Sequence, residues 1–156
     1  MSYGIVAWGQ AAQVHVNKLL ILQKRALRLM YFRSNIAHAI PLFISSRFLP
    51  LNMLYCKAVS TLMYNVSNNS SPCKITELFT YSKEIHTHNI RFGVLDNFHI
   101  KPSRINIKNV SFARLGAMIW NSISPVVRKL GKQALIIRYV IDTPTSTKLM
   151  AEQWSL

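Results

Sequence analysis

Apolar side chains recur along Gln13–Phe32 at the spacing of a single helix face. In QVHVNKLLILQKRALRLMYF, Val16, Leu19, Leu20, Leu27 and Met30 fall on one side, with Ala26 beside them. Lys18, Lys24, Arg25 and Arg28 share the remaining arc, where Leu22 and Leu29 intrude. The pattern predicts an amphipathic helix with one packed face and one basic face. The period breaks down in RSNIAHAIPLF, where Pro41 disfavours a helical residue before it. It resumes from about Pro50 to Val66, with Leu51, Leu54, Tyr55, Ala58, Leu62 and Val66 in step and a proline suited to the first helical position. The polar run SNNSSP ends this second helix, and ITELF predicts a single short turn.

Between Tyr81 and Val110 helical period is lost. Short β-like pieces, FHI and INIKNV, lie among Gly93, Asp96-Asn97 and Pro102, a pattern of loop with a small hairpin. A third helix is predicted at FARLGAMIWNSI, where Phe112, Leu115, Gly116, Ile119 and Ile123 recur. Ser124 then has the place of an N-cap and Pro125 that of a first-turn proline opening PVVRKL. ALIIRYVI fits a strand by its branched residues and a helix by its position, and DTPTSTKLMAEQWSL reads as a frayed end. There is no internal repeat. The expected fold is mainly α: a small helical segment with an irregular loop or short β-hairpin insertion. At the other end, YGIVAWG is apolar and aromatic with no polar lead or helix cap, a pattern that belongs inside a folded domain.

Composition leaves this picture standing, because half of the 156 residues are hydrophobic and only 15% are charged, enough for a packed core in one domain's length. Charge changes it. Nineteen Lys and Arg face five Asp and Glu, a formal net charge of +14, and no acid precedes Glu77. Such a balance favours a polyanionic partner, nucleic acid or an anionic membrane surface. No run approaches the ~20 apolar residues of a membrane span, and nothing resembles a secretory leader. The expectation is an intracellular protein of nucleus or cytoplasm, not a secreted one, whose Asn-x-Ser triplets at Asn65, Asn68, Asn69 and Asn109 carry no sugar. Cys56 and Cys73, seventeen positions apart, form neither a disulfide framework nor a zinc spacing and read as reduced thiols.

Candidate chemistry is sparse. Two-metal phosphoryl transfer needs carboxylates held close together, and Glu77, Glu84, Asp96, Asp142 and Glu152 are isolated from one another along the chain. His86 and His88 in HTH share one side of an extended strand, yet neither Glu84 nor His99 completes a known metal spacing, so a hydrogen-bonded or exposed histidine pair is the better reading. There is no glycine-rich phosphate loop and no nucleophile elbow. The expectation is therefore no catalytic residue, no metal, no cofactor and no small-molecule substrate. Basic and aromatic content is more informative: Arg91 adjoins Phe92 in HTHNIRF, and Lys101, Arg104 and Lys108 punctuate HIKPSRINIK. Cations interleaved with aromatic and amide groups suit phosphate contact and stacking, while a solvated loop is the alternative.

Several landmarks stand in one order: YGIVAWG, LLILQKRALRLM, AHAIPLF, LPLNMLY, LMYNVSNNSSP, HTHNIR, FHI and FARLGAMIWNSISPVVRKL. The series resembles the region just C-terminal to the polymerase palm in jockey-like non-LTR retrotransposon reverse transcriptases, from about Tyr3 to Leu130. The resemblance thins over residues 131–156, a divergent tail. It implies a thumb-like and connector segment over 1–130 that helps hold template and primer, not a complete polymerase fold. The parent family is an RNA-directed DNA polymerase whose catalytic carboxylates lie in an upstream acidic doublet that this chain does not contain. On that footing Lys18, Lys24, Arg25 and Arg28 touch backbone phosphate, Trp8, Trp120 and Leu19 pack the core, and Arg91 is the first loop contact, with Lys101 and Arg104 beside it. The partners implied are an RNA or DNA backbone and the palm domain against which YGIVAWG would once have packed.

Three readings of function follow. The first is a reverse-transcriptase fragment without catalysis that binds nucleic acid with little sequence preference. The second is a basic amphipathic helical protein lying on anionic lipid or in a partner's groove; the landmarks beyond Val66 argue against it, since a lipid anchor has no need of them. The third is a remnant reading frame with no function.

Overall fold

The computed structural model describes residues 3–85, 96–102, 104–105, 111–129 and 131–132. The described chain is mainly helical, with eight helices and, among the described residues, a single isolated antiparallel bridge between Tyr81 and Phe98 in place of any longer β-pairing. It divides into two compact units, Met1–Tyr55 and Cys56–Leu156.

In the first unit, Gly4 opens the single-turn helix α1 (Ile5–Trp8) from a left-handed conformation, φ 61°, that a side chain would strain. Ile5 is buried, and the Trp8 indole N–H donates to the Tyr3 carbonyl at 2.9 Å. Gly9 follows because a Cβ there would run into the Tyr55 ring. The long helix α2 (Gln13–Met30) buries Val16, Leu20 and Leu27, as its period predicts. Met30 departs from that prediction: it is 61% exposed, because the packed stripe runs out at Leu27 as the helix ends.

The end of α2 is locked by two backbone bonds, Phe32 N–H to Leu29 O at 3.1 Å and Arg33 N–H to Arg28 O at 2.9 Å. This pairing requires a left-handed residue in the middle, and here it is Phe32 at φ 49°. Helix α4 (Leu51–Ser67) ends the same way, with Asn69 N–H to Val66 O at 3.1 Å and Ser70 N–H to Asn65 O at 2.9 Å. Its left-handed residue is Asn69, a side chain suited to that region. Holding a phenylalanine there costs on the order of 1–2 kcal/mol.

Helix α3 (Ile40–Ser46) was not predicted from the sequence. Pro41 falls inside its first turn, where a missing N–H costs nothing; Ile40 directly before it is helical, against the expectation from the proline, and the N-cap Ala39 already has helical angles, φ −81°, ψ −20°. Leu42 and Phe43 are buried, and α3 packs on α2. Pro50 stands one place before its expected position: α4 starts at Leu51, and the Pro50 carbonyl accepts the first helical bond from Leu54 N–H at 3.0 Å. What fixes this start comes from α2. The Gln23 side-chain amide donates through Nε2 to Leu49 O and accepts Leu51 N–H at Oε1, both at 3.0 Å. One amide thus satisfies an acceptor and an orphan helix donor across 26 and 28 residues.

In the second unit, α4 buries Val59, Met63 and Val66 completely or nearly so, with Ser60 among them. The sequence pattern favoured Ala58 and Leu62, which are only half-buried. Apolar residues surround this helix on most sides, so more than one register satisfies a 3.6 period. Single turns follow at α5 (Cys73–Thr76), near the turn predicted at ITELF, and at α6 (Ser82–Ile85). Helix α7 (Phe112–Ser122) then packs through Ala117 and Trp120, and its Gly116 lets it lie on Met63 and Phe79: a Cβ there would come within 2.9 Å of the Met63 sulfur. Ser124 does precede α8 (Pro125–Arg128) at the N-cap place, without a side-chain cap bond.

Phe98 is the hub of this core. It is 2% exposed, stacks on Tyr81 with ring centroids 4.6 Å apart, and meets Phe79 at 5.4 Å and Trp120 at 6.1 Å. Its backbone is held on both sides. Toward Tyr81 the bridge brings Ser82 N–H to Asn97 O at 2.9 Å and His99 N–H to Thr80 O at 2.8 Å. Toward α7, the Asn121 amide accepts Phe98 N–H at 3.0 Å and donates to Phe98 O at 2.8 Å, so a side chain acts as the second neighbouring strand. The segments 86–95, 106–110 and 133–156, with the expected hairpin partner INIKNV from Asn106 on, HTHNIR and ALIIRYVI, lie outside the described residues.

Candidate nucleic-acid interface

The wheel of α2 sorts its four cations into two pairs. Opposite the buried line of Val16, Leu20 and Leu27 stand Lys18 and Arg25, both exposed. Seven residues separate them, so their Cα atoms lie about 10.5 Å apart along the axis and about 20° apart around it. Lys24 and Arg28 instead border the packed seam and are half-buried. Burial, and secondarily the Arg28 charge, lower the Lys24 ammonium from its usual pKa. The Arg28 Nε donates to Ala37 O at 2.8 Å, which ties down the chain after α2. Half of the predicted basic arc thus faces outward, and half lies against the packed seam, where Arg28 braces the fold.

Electrostatics sharpen the outward pair. The first unit holds six Lys and Arg and no acid, so no charge within it neutralises Lys18 or Arg25. Arg33 and Arg47, which the pattern of the helix did not single out, are exposed as well. The signal for Arg33 was its place directly after the last helical turn. The same outward face carries apolar neighbours: Val14, Ile21, Leu22 and Leu29 are all exposed.

In the second unit, Lys101 and Arg104 are exposed. The backbone under Lys101 is fixed, because Arg114 of α7 donates through Nη1 to its carbonyl at 2.9 Å. Arg91, His86 and His88 lie outside the described residues. Trp120 packs in the core as expected, whereas Trp8 and Leu19 are half-buried.

Arg128 is a further cation that the sequence pattern did not single out. It donates through Nε to Ile123 O at 2.9 Å and through Nη1 to Asp96 O at 3.1 Å. Its Nη2 reaches Asn97 Oδ1 at 2.8 Å and Asn121 O at 3.2 Å. The guanidinium also lies over the Trp120 ring, 5.4 Å from its centroid. Burial lowers its pKa and Asp96 partly offsets this, which marks a charge spent inside the structure. Lysine at 128 would keep the charge and lose the fork. Arg128→Lys is expected to cost about 2 kcal/mol, read as a lower urea midpoint at unchanged slope.

Among the described residues, acidic and thiol groups build no reactive centre. Glu77 and Glu84 are exposed, and Asp96 pairs with Lys83 at 3.4 Å, an open ion pair of little energetic weight. Tyr81 is pushed up by burial and by the charges of Asp96 and Glu84. Burial pushes the Cys56 thiol up as well, away from the thiolate that reactivity needs. Cys73 is exposed, and both cysteines are free. Among the described residues no three of His, Cys, Asp and Glu are grouped to hold a metal ion, and no helix is long and apolar enough to cross a membrane.

No protein-family model, curated protein or solved structure matches this chain.

Proposed function

We propose that the chain binds the phosphate backbone of RNA or DNA with little sequence preference, through the outward face of α2. The observation that carries this reading is the exposed Lys18–Arg25 pair in a unit without a single acid. Phosphates are the complementary partner, and counterion release supplies the driving force. The ordered landmarks of the sequence give the reading its context: a segment similar to the thumb and connector of jockey-like non-LTR reverse transcriptases, which holds template and primer while another domain performs phosphoryl transfer. On this reading the chain is not itself an enzyme, and a palm domain is its second partner. Lys101 and Arg104 add cations on the second unit.

Binding of a labelled oligonucleotide at two salt concentrations tests the proposal. Each neutralised phosphate steepens the dependence of log affinity on log salt by about 0.7 for single strands and about 0.9 for duplex. Two to four contacts on a single strand therefore weaken binding roughly 7- to 50-fold between 50 and 200 mM salt. Affinity that ignores salt removes the electrostatic claim.

A second reading has its own observation in Val14, Ile21, Leu22 and Leu29, exposed apolar residues on the same face. They suit a basic amphipathic helix on anionic lipid or in a partner's groove. Co-sedimentation with anionic vesicles, with and without competing RNA, separates the two: RNA displaces the chain from lipid only if both use one surface.

A further inference from the structure

Phe32 combines two unfavourable features. It is 97% exposed and sits at φ 49°, where glycine or asparagine is the ordinary occupant. Asn69 fills the equivalent place after α4, so the fold has an unstrained solution and uses it there. At position 32 a bulky aromatic is presented to solvent at a cost in backbone strain. It covers no core and shields no neighbour well, since Leu29 and Met30 beside it are exposed too.

The surrounding structure holds the residue in place. The two backbone bonds from Phe32 and Arg33 to Leu29 and Arg28 fix its own turn. Just beyond it, Ala37 N–H donates to Ser34 O at 3.1 Å, and Arg28 Nε clasps the Ala37 carbonyl at 2.8 Å. Strained residues persist where their surroundings over-determine them, and they concentrate where a side chain must be aimed. The backbone that carries the ring is therefore already ordered before anything covers it.

Exposed cations lie on both sides of position 32 along the chain. Lys18 and Arg25 share the outward side of α2, Phe32 comes two residues past the last helical residue, and exposed Arg33 directly follows it. No acid lies in this unit. Exposed cations near a solvated aromatic are the pairing that takes a single-stranded polynucleotide: phosphates on the cations, an unpaired base on the ring. From this we infer that Phe32 is a stacking platform for an unpaired nucleobase at the C-terminal end of α2. The inference rests on the backbone-binding reading and narrows its ligand from any polynucleotide to one with unpaired bases.

Fluorescence anisotropy with a labelled 12-nucleotide oligothymidylate and with a duplex of the same length decides the matter. Phe32→Asn relieves the backbone strain while removing the ring. It is expected to raise the thermal midpoint, weaken the single strand about tenfold and leave the duplex unchanged. Phe32→Trp should keep single-strand affinity, and its added indole fluorescence should be quenched by the oligonucleotide. If Phe32→Asn binds the single strand as tightly as the natural chain, the stacking role is overturned while backbone binding stands. Equal losses on single strand and duplex overturn it as well, because a ring that stacks on unpaired bases must discriminate. If the natural chain binds neither nucleic acid, both readings fall together. Loss of binding to anionic vesicles alone, or of self-association in sedimentation, would assign the ring to lipid or to a second copy instead.

Discussion

Phe98→Ala is expected to lower stability by about 3–5 kcal/mol, a large share of the ~5–15 kcal/mol that holds a domain together. The ring meets Tyr81, Phe79 and Trp120 at once and is essentially inaccessible, so truncation opens a cavity that none of the three can close without leaving its own neighbours. The backbone at 98 would still be gripped by Asn121 and by the Tyr81 bridge, which limits collapse around the gap and keeps the cost near the upper end. Urea titration followed by circular dichroism measures the loss. A change below about 1 kcal/mol, the middle of the range for ordinary substitutions, would mean that Phe98 is not the centre of this core.

Joint reversal of Lys18 and Arg25 to glutamate should weaken oligonucleotide binding on the order of 100-fold at low salt, since two phosphate contacts are lost and two repulsions gained. Both side chains are exposed and opposite the packed stripe, so the thermal midpoint should shift little, within about 0.5 kcal/mol of stability. Unchanged affinity in a folded double variant would move the binding surface away from α2. The pattern of the sequence alone pairs Arg25 with Arg28 for such a test, as two cations on one basic arc. The structure replaces Arg28 by Lys18: the Arg28 guanidinium holds Ala37, and its reversal would confound a binding defect with a loosened fold.

Helices α2, α4 and α7 were legible because each has enough turns for apolar periodicity to stand out from chance. The register of α4 was not, because a helix apolar nearly all round does not say which side is inward. Helix α3 escaped notice because a proline that breaks a helix in its middle opens one in its first turn, and local sequence does not separate the cases. Basic residues were visible, but their division into outward and seam-side pairs was not: Lys18 and Arg28 differ in what other elements bring to them. The landmark glycines found physical reasons, Gly9 against Tyr55 and Gly116 against Met63. The left-handed Phe32 had no signal at all, since nothing in MYFRSN advertises positive φ at an aromatic residue.

The two amide clamps have a consequence for how the chain tolerates genetic change. Gln23 and Asn121 each offer a donor and an acceptor on the two branches of one planar amide, and each uses both. Aspartate or glutamate would supply acceptors alone, and lysine or arginine donors alone, so in either case one buried backbone group goes unmet. Asparagine and glutamine cannot trade places either, because one methylene alters the reach by more than a hydrogen bond forgives. Each site therefore favours the amide it has, although neither is fully buried. As copies of such a gene drift apart, outward lysines can wander and apolar core positions can exchange volume with one another. These two positions change only at the loss of paired backbone bonds, and a diverged copy that keeps them still carries the instruction for where α4 begins and where Phe98 sits.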